Sequence, residues 1–457
     1  MSPMVSGIRL VHGARGPSRR RVLQMAGLAT MGGVATALAG CAGERSAPAP
    51  GAPASLEALA AEYVRLSLAL ARQQPSLVEV WLGPPDQAAA SRVPAPQLRA
   101  EAGALLIQAE AVAGQTDPAA GPDSIGDAMR AAYLVGQIRA LDEAAGRLVG
   151  EGHPFQEEAR RTFGHTAPPR DASGLEAIRR DLDALLPGPG SLADRHAAFR
   201  RAAAVPAERV EDVFRAAVDW CRREAAARLP LPEGESLTTR AEDTTGWAAF
   251  SRPTGPLTSD LWVAKGGGAD AAHLLQLAAH EGTPGHHAQL VLASATLVTG
   301  RGWTERLLLP SFGPHRLLAE GAAEAGAALL LPVEVREAVV RDVLLPAAGQ
   351  PPSMAAALVR VERLAAELDL EVAYIAADYL DTAARAVDVA DRLREDALVL
   401  DPGGMVSFIE KQRTKILAYP VGRRLVLDRI GGDDEAARWA RLSTIATTLT
   451  LPGAGGE

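Results

Sequence analysis

Pro284-Gly285 interrupts a stretch of this 457-residue chain that otherwise reads as continuous helix. Proline removes a backbone donor and disfavours helix at the preceding Thr283. Glycine allows backbone angles that other residues avoid. The pair predicts a helix over 270–282, a tight bend, and a second helix over 286–299. Imidazoles stand on both sides of the bend: His280-Glu281 before it, and His286-His287, then Gln289, after it. The chain has 9 His, and His273, His280, His286, His287 and His315 all fall within this neighbourhood.

Neutral imidazole is the commonest protein metal ligand. A catalytic zinc takes three protein ligands and keeps a fourth position for water, and Glu281 stands where a base would take a proton from that water. The spacing differs from H-E-x-x-H, because Pro284 occupies the place of the second ligand. On an unbroken helix His280 and His286 would lie about 9 Å apart along the axis and about 120° apart around it. His287 would share the face of His280 but lie about 10.5 Å along the axis. Neither spacing suits one ion with bonds of about 2.0–2.1 Å. The bend takes up the two extra residues and returns one of the pair, His286 or His287, to the metal. The third ligand must come from another element. Leu317-Leu318-Ala319-Glu320-Gly321-Ala322-Ala323-Glu324 is the candidate, on a helix begun by Pro314 and stopped by Pro332. Glu320 and Glu324 share a face four residues apart. Glu320 would ligate, and Glu324 would accept a hydrogen bond from a ligating imidazole and so orient it.

H-E-x-x-P-G-H-H-x-Q followed by a helical Glu-Gly resembles the bacterial family called domain of unknown function 885, whose members are regarded as zinc peptidases of gluzincin type. The resemblance covers roughly residues 56–432. It extends to Trp247-Ala248-Ala249-Phe250, to Leu309-Pro310 ahead of the Glu320 helix, and to Ala418-Tyr419-Pro420-Val421-Gly422. It implies a mainly α, two-lobed helical gluzincin-like fold with a central cleft and little β structure. It also implies His280, one of His286 and His287, and Glu320 as ligands of Zn2+, with Glu281 as general base. Tyr419 matches a tyrosine that would donate to an oxyanion, and Gln289 a residue that supports the ligands. A peptide is the implied substrate. Three positions depart from the family pattern: Ala322 and Ala325 replace a Trp and a Tyr, and Ala376 stands where an Arg is expected. These departures motivate a second reading, a catalytically degenerate envelope lipoprotein that keeps the fold and the metal as a binding or scaffold protein. Nitrogen and oxygen ligands also accept manganese or cobalt.

The N-terminus predicts export. Ser18-Arg19-Arg20-Arg21 resembles a twin-arginine signal, and the weakly apolar run from Val22 to Ala39 ends at Leu38-Ala39-Gly40-Cys41, which resembles a lipobox. Residues 1–40 read as a signal peptide, with lipid on Cys41 holding the protein to the cell envelope. The rival reading of the same run is a membrane anchor of minimal length. Residues 1–40 hold five Arg and no acid, so the remaining 417 residues carry 42 basic against 55 acidic side chains, a formal charge of −13. A domain this acidic, with three Lys, excludes nucleic acid as a partner. Cys221, the second cysteine, has no internal partner once Cys41 is lipidated and reads as a small buried apolar group.

Residues 41–55, rich in Ala, Pro and Gly, read as a flexible tether. Helical periodicity begins directly after it, with Leu56, Leu59, Tyr63, Leu66 and Leu70 on one face. It recurs through most of the chain, including runs over 370–397 and 404–430. Short extended structure is expected first over 244–265, with Leu261-Trp262-Val263-Ala264 as the candidate strand. A chain of this length exceeds one ordinary core. Two lobes are expected, over 56–240 and 241–452, the second holding the motif. The sequence leaves the oligomeric state open.

Overall fold

The computed structural model describes residues 55–88, 93–116, 122–245 and 247–448. The signal peptide, Cys41 and all of the tether but Ser55 lie outside the described residues, as do positions 449–452. The fold is mainly α. Leu56–Gln73 illustrates how its helices arise. The Ser55 hydroxyl accepts from the Ala58 N–H at the first turn, and Leu59, Tyr63, Leu66 and Leu70 bury one face. Each such side chain contributes about 1.5–3 kcal/mol on leaving water. Pro75, just beyond, stops the helix.

Among the described residues, five short strands accompany the helices. β1 (Val78–Trp81) pairs antiparallel with β5 (Leu308–Pro310). β2 (Ser236–Glu242), β3 (Ala249–Gly255) and β4 (Thr258–Ala264) form a sheet in the order β2-β4-β3, with β2 parallel and β3 antiparallel to β4. The expected strand at 261–264 is the inner half of β4. Leu261 and Val263 point into the core, while Trp262 stacks on its cross-strand neighbour Phe250 with ring centroids 6.2 Å apart. β3 contains Pro253 and is an edge strand, where a missing N–H is tolerated. β1, β2 and β5 were not foreseen. They are short, and their partners lie far off in sequence, so no local alternation announces them.

Two expected long helices are broken. The run over 370–397 is Asp369–Asp381 followed by Ala386–Glu395. That over 404–430 is Pro402–Gln412 and Pro420–Ile430, joined by a 3-10 turn: the first helix ends at Arg413, whose φ is +48°, and Pro420 opens the second at its first position. The boundary expected near 240 does not divide the core. One buried cluster joins Phe214 and Cys221 to Leu275, Ala322 and Leu442; another joins Leu59 and Leu141 to Trp303 and Phe312. A third joins Phe155 to Ile416 and Tyr419. Among the described residues no helix is long and apolar enough to cross a membrane.

Candidate metal centre

The bend at Pro284-Gly285 forms as its residues dictate. Helix Ala271–Glu281 is capped by Asp270, whose carboxylate accepts from the His273 N–H at 3.0 Å, and it ends as the Gly282 N–H bonds the Ala278 carbonyl. The Gly285 N–H then bonds the Ala279 carbonyl, and helix His286–Ala293 begins. A β-carbon on Gly285 would collide with the His280 carbonyl, so only glycine lets the chain turn back this tightly. The third helix, Pro314–Leu330, starts at Pro314 as expected. It lies against helix Pro420–Ile430 through Gly321 and Gly422, where a β-carbon on either would strike the other's backbone.

These three helices bring His280, His286 and Glu320 together, their ligating atoms all within 4.8 Å of one another. His280 Nε2 lies 3.4 Å and His286 Nε2 3.3 Å from Glu320 Oε2. A tetrahedral ion with bonds of about 2.0–2.1 Å separates its ligands by about 3.3–3.4 Å, so both edges have the length a zinc site requires. His280 Nε2 and Glu320 Oε2 are buried, and among the described residues neither has a hydrogen-bond partner, which suits atoms that ligate a cation. His287 is not part of the cluster, which corrects one of the two expected alternatives. Its ring points the other way, with Nδ1 2.9 Å from Ser259 Oγ and Nε2 2.7 Å from Glu235 Oε1. Adjacent residues on a helix diverge by about 100°, so only one of the pair can face the ion. Burial pushes the His287 imidazole below its ordinary pKa.

Four further candidate residues surround these ligands. Glu324 Oε1 stands 2.9 Å from His280 Nδ1, and its other oxygen accepts from Gln276 at 3.2 Å. Gln289 donates to the Ala319 carbonyl at 3.1 Å and ties the second helix to the third beside Glu320. Glu281 is buried. Its Oε2 accepts the Ser251 N–H at 2.8 Å, from the open side of edge strand β3, while Oε1 has no partner. Burial and the neighbouring Glu320 charge raise its pKa, against the pull of His280 and His286. Burial opposes a charge on His280, but Glu320 and Glu324 outweigh it and hold its pKa well above the ordinary value. Burial likewise works against the Glu320 carboxylate, yet His286, His280 and Arg316 carry its pKa well below the usual range. Tyr419 is buried, and its hydroxyl lacks a partner among the described residues; burial and the Glu320 charge push its pKa well up, so it stays protonated.

Sequence reasoning missed the cations that hold Glu320 from behind. Arg316 Nη1 donates to Glu320 Oε1 at 3.2 Å, which leaves Oε2 to the imidazoles. Glu79 on β1 pairs with Arg316 and also with Lys415 Nζ, the latter at 2.8 Å. The i,i+4 spacing of Arg316 and Glu320 was a usable local signal; Glu79 and Lys415 gave none. His273 faces Glu362 at 3.3 Å, and His315 takes a 2.7 Å contact from Arg306, so neither joins the cluster. Ala322, Ala325 and Ala376 are fully packed in apolar cores.

No family model matches the chain, and no curated protein matches it. Among solved structures, it is similar to a candidate lipoprotein from Colwellia psychrerythraea, with a TM-score of 0.43 and 13% identity over 78% of this chain and 70% of that one. It is also similar to a candidate lipoprotein of unknown function from Shewanella oneidensis, with a TM-score of 0.40 and 12% identity over 77% and 75% of the two chains. Likenesses this distant carry no argument about what the chain does.

Proposed function

We propose that the chain is a zinc-dependent hydrolase of peptide bonds, exported and held to the cell envelope through a lipidated Cys41. One observation carries the reading. Three lone-pair donors converge within 4.8 Å, two of their edges at tetrahedral spacing, and the buried Glu281 carboxylate, whose charge they feel, keeps one oxygen unbonded among the described residues. His280, His286 and Glu320 would hold the cation; zinc suits this nitrogen and oxygen set and the spacing. The bound cation would acidify water and polarise the scissile carbonyl. Every other step belongs to the protein. The Ser251 N–H fixes one oxygen of Glu281 and aims the other. Glu281 accepts a proton from the attacking water and passes it to the leaving amine. A carboxylate whose pKa is lifted by burial is a better match for that exchange near neutrality than an exposed one. The protonated Tyr419 hydroxyl donates to the oxygen on which charge develops. Peptide as the substrate rests on the family resemblance, and export and lipidation rest on the residues before Ser55.

The test pairs metal analysis with cleavage of a peptide library by wild type and Glu281→Gln. The variant is expected to keep stoichiometric metal and lose turnover by about 10²–10⁴-fold. Full metal with no cleavage by either protein would favour the second reading, for which the buried alanines at 322, 325 and 376 speak.

A further inference from the structure

Behind the cluster, on the Nδ1 side of His280, lies a cavity of about 480 Å3 lined by residues of helices Pro314–Leu330, Ala355–Ala366 and Pro420–Ile430. That is the size of a small-molecule site. Its walls are apolar, formed by Leu331, Val333, Val359 and Leu427. Its floor is a continuous polar chain. Gln276 links Glu324 at 3.2 Å to Arg336; Arg336 reaches Glu362 at 3.4 Å, and Glu362 faces His273 at 3.3 Å. The floor carboxylates are therefore already engaged.

The rim differs. Arg423 is one-third exposed and meets Glu367 only at 3.8 Å. Arg424 meets Asp428 of its own helix at 3.9 Å, and both of those side chains are about 70% exposed. Exposed pairs at such separations contribute roughly 0–1 kcal/mol and exchange freely with water. A guanidinium offers a planar fork of donors that matches a carboxylate. Glu367, Asp369 and Asp428 share this rim, so it suits one negative charge and disfavours a phosphate.

The geometry points to a binding site for a small apolar carboxylate, its hydrocarbon body between Leu331, Val359 and Leu427 and its carboxylate on Arg423 in place of Glu367. Glu324 and Tyr419 line both this cavity and the proposed hydrolytic centre, and the Arg423 charge acts on Glu324 as well, but binding of the acid at Arg423 does not require hydrolysis. The same chemistry is offered by the C-terminal residue of an apolar peptide and by a fatty acid. Calorimetric titration of the full chain with N-acetylleucine and with octanoate separates these sources, and N-acetylleucinamide supplies the same body without the charge. Saturable binding of one acid per chain is expected, about tenfold or more tighter than the amide. Arg423→Gln should weaken it by the same factor, since loss of a loosely paired rim residue spares the fold. Ala328→Trp, which fills the cavity, should abolish it with the thermal midpoint retained. Tighter N-acetylleucine identifies a peptide terminus, tighter octanoate a lipid-derived acid; either supports the site. Equal affinity for acid and amide, undiminished binding by Arg423→Gln, or no saturable heat from any probe in wild type overturns it.

Discussion

His273 and His280 stand two turns apart on the same helix, both buried and both against a carboxylate. At His273 the arrangement closes on itself: one imidazole, one carboxylate, and Arg336 on the far oxygen of Glu362. At His280 it stays open. A second imidazole and a second carboxylate crowd the same point, and three ligating atoms face one another. His273 Nε2 also lacks a partner, so one orphan nitrogen does not mark a metal site. Convergence does. Buried lone pairs that face each other cost free energy unless a proton or a metal ion joins them, whereas those at His273 are already joined.

Removing a converging ligand tests this contrast most severely. Glu320→Gln or His280→Ala should lower zinc affinity by more than the roughly 10–100-fold that loss of an orienting partner costs. His273→Gln should leave the bound metal unchanged. Competition with a chromophoric chelator measures all three, and equal losses at 273 and 280 would erase the distinction. One step smaller, Glu324→Gln should cost about 10–100-fold, because it frees the His280 ring without removing a ligand. An unchanged zinc affinity there would mean that the 2.9 Å contact to Nδ1 does not orient the ring.

The contrast also marks how far the sequence could be read. The bend, both of its helices and the Glu320 helix were legible because each is set by local chemistry: Pro284, Gly285 and Pro314 fix the backbone wherever the rest of the chain lies. The mainly α fold was legible from periodicity for the same reason. The choice between His286 and His287 was not. It depends on where β4 and the Glu235 segment lie, since Ser259 and Glu235 claim His287. Glu79 and Lys415 were invisible for a related reason: Glu79 reaches Arg316, and Lys415 reaches Glu79, across more than 200 residues of chain. The buried clusters draw residues from both sides of position 240, contacts between distant segments that no local pattern announces.

The neighbouring imidazoles of the second helix repeat the comparison on a smaller scale. His287→Ala should keep the metal yet destabilise the fold by about 1–3 kcal/mol, since Glu235 and Ser259 lose a buried partner. Chemical denaturation combined with metal analysis reads both effects, and loss of metal without loss of stability would reverse the assignment of the pair.

His196 isolates what burial alone does to an imidazole. It is buried with Arg200 nearby and, among the described residues, no carboxylate acting on it, and burial, then that guanidinium, push its pKa down to about 3. The folded protein therefore holds this ring neutral where the unfolded chain, near 6.5, takes up a proton. The unfolded state binds more protons below that value, so stability rises with pH through this window. The contribution is fully present above about 6.5 and is lost as pH falls toward about 3, at up to about 1.4 kcal/mol per pH unit. Unfolding free energies of wild type and His196→Gln at about pH 7 and about pH 5 should diverge by about 2 kcal/mol, the variant losing less. Parallel slopes would mean that the ring is protonated in the folded state, and that a buried imidazole here does not need a carboxylate or a metal to carry charge.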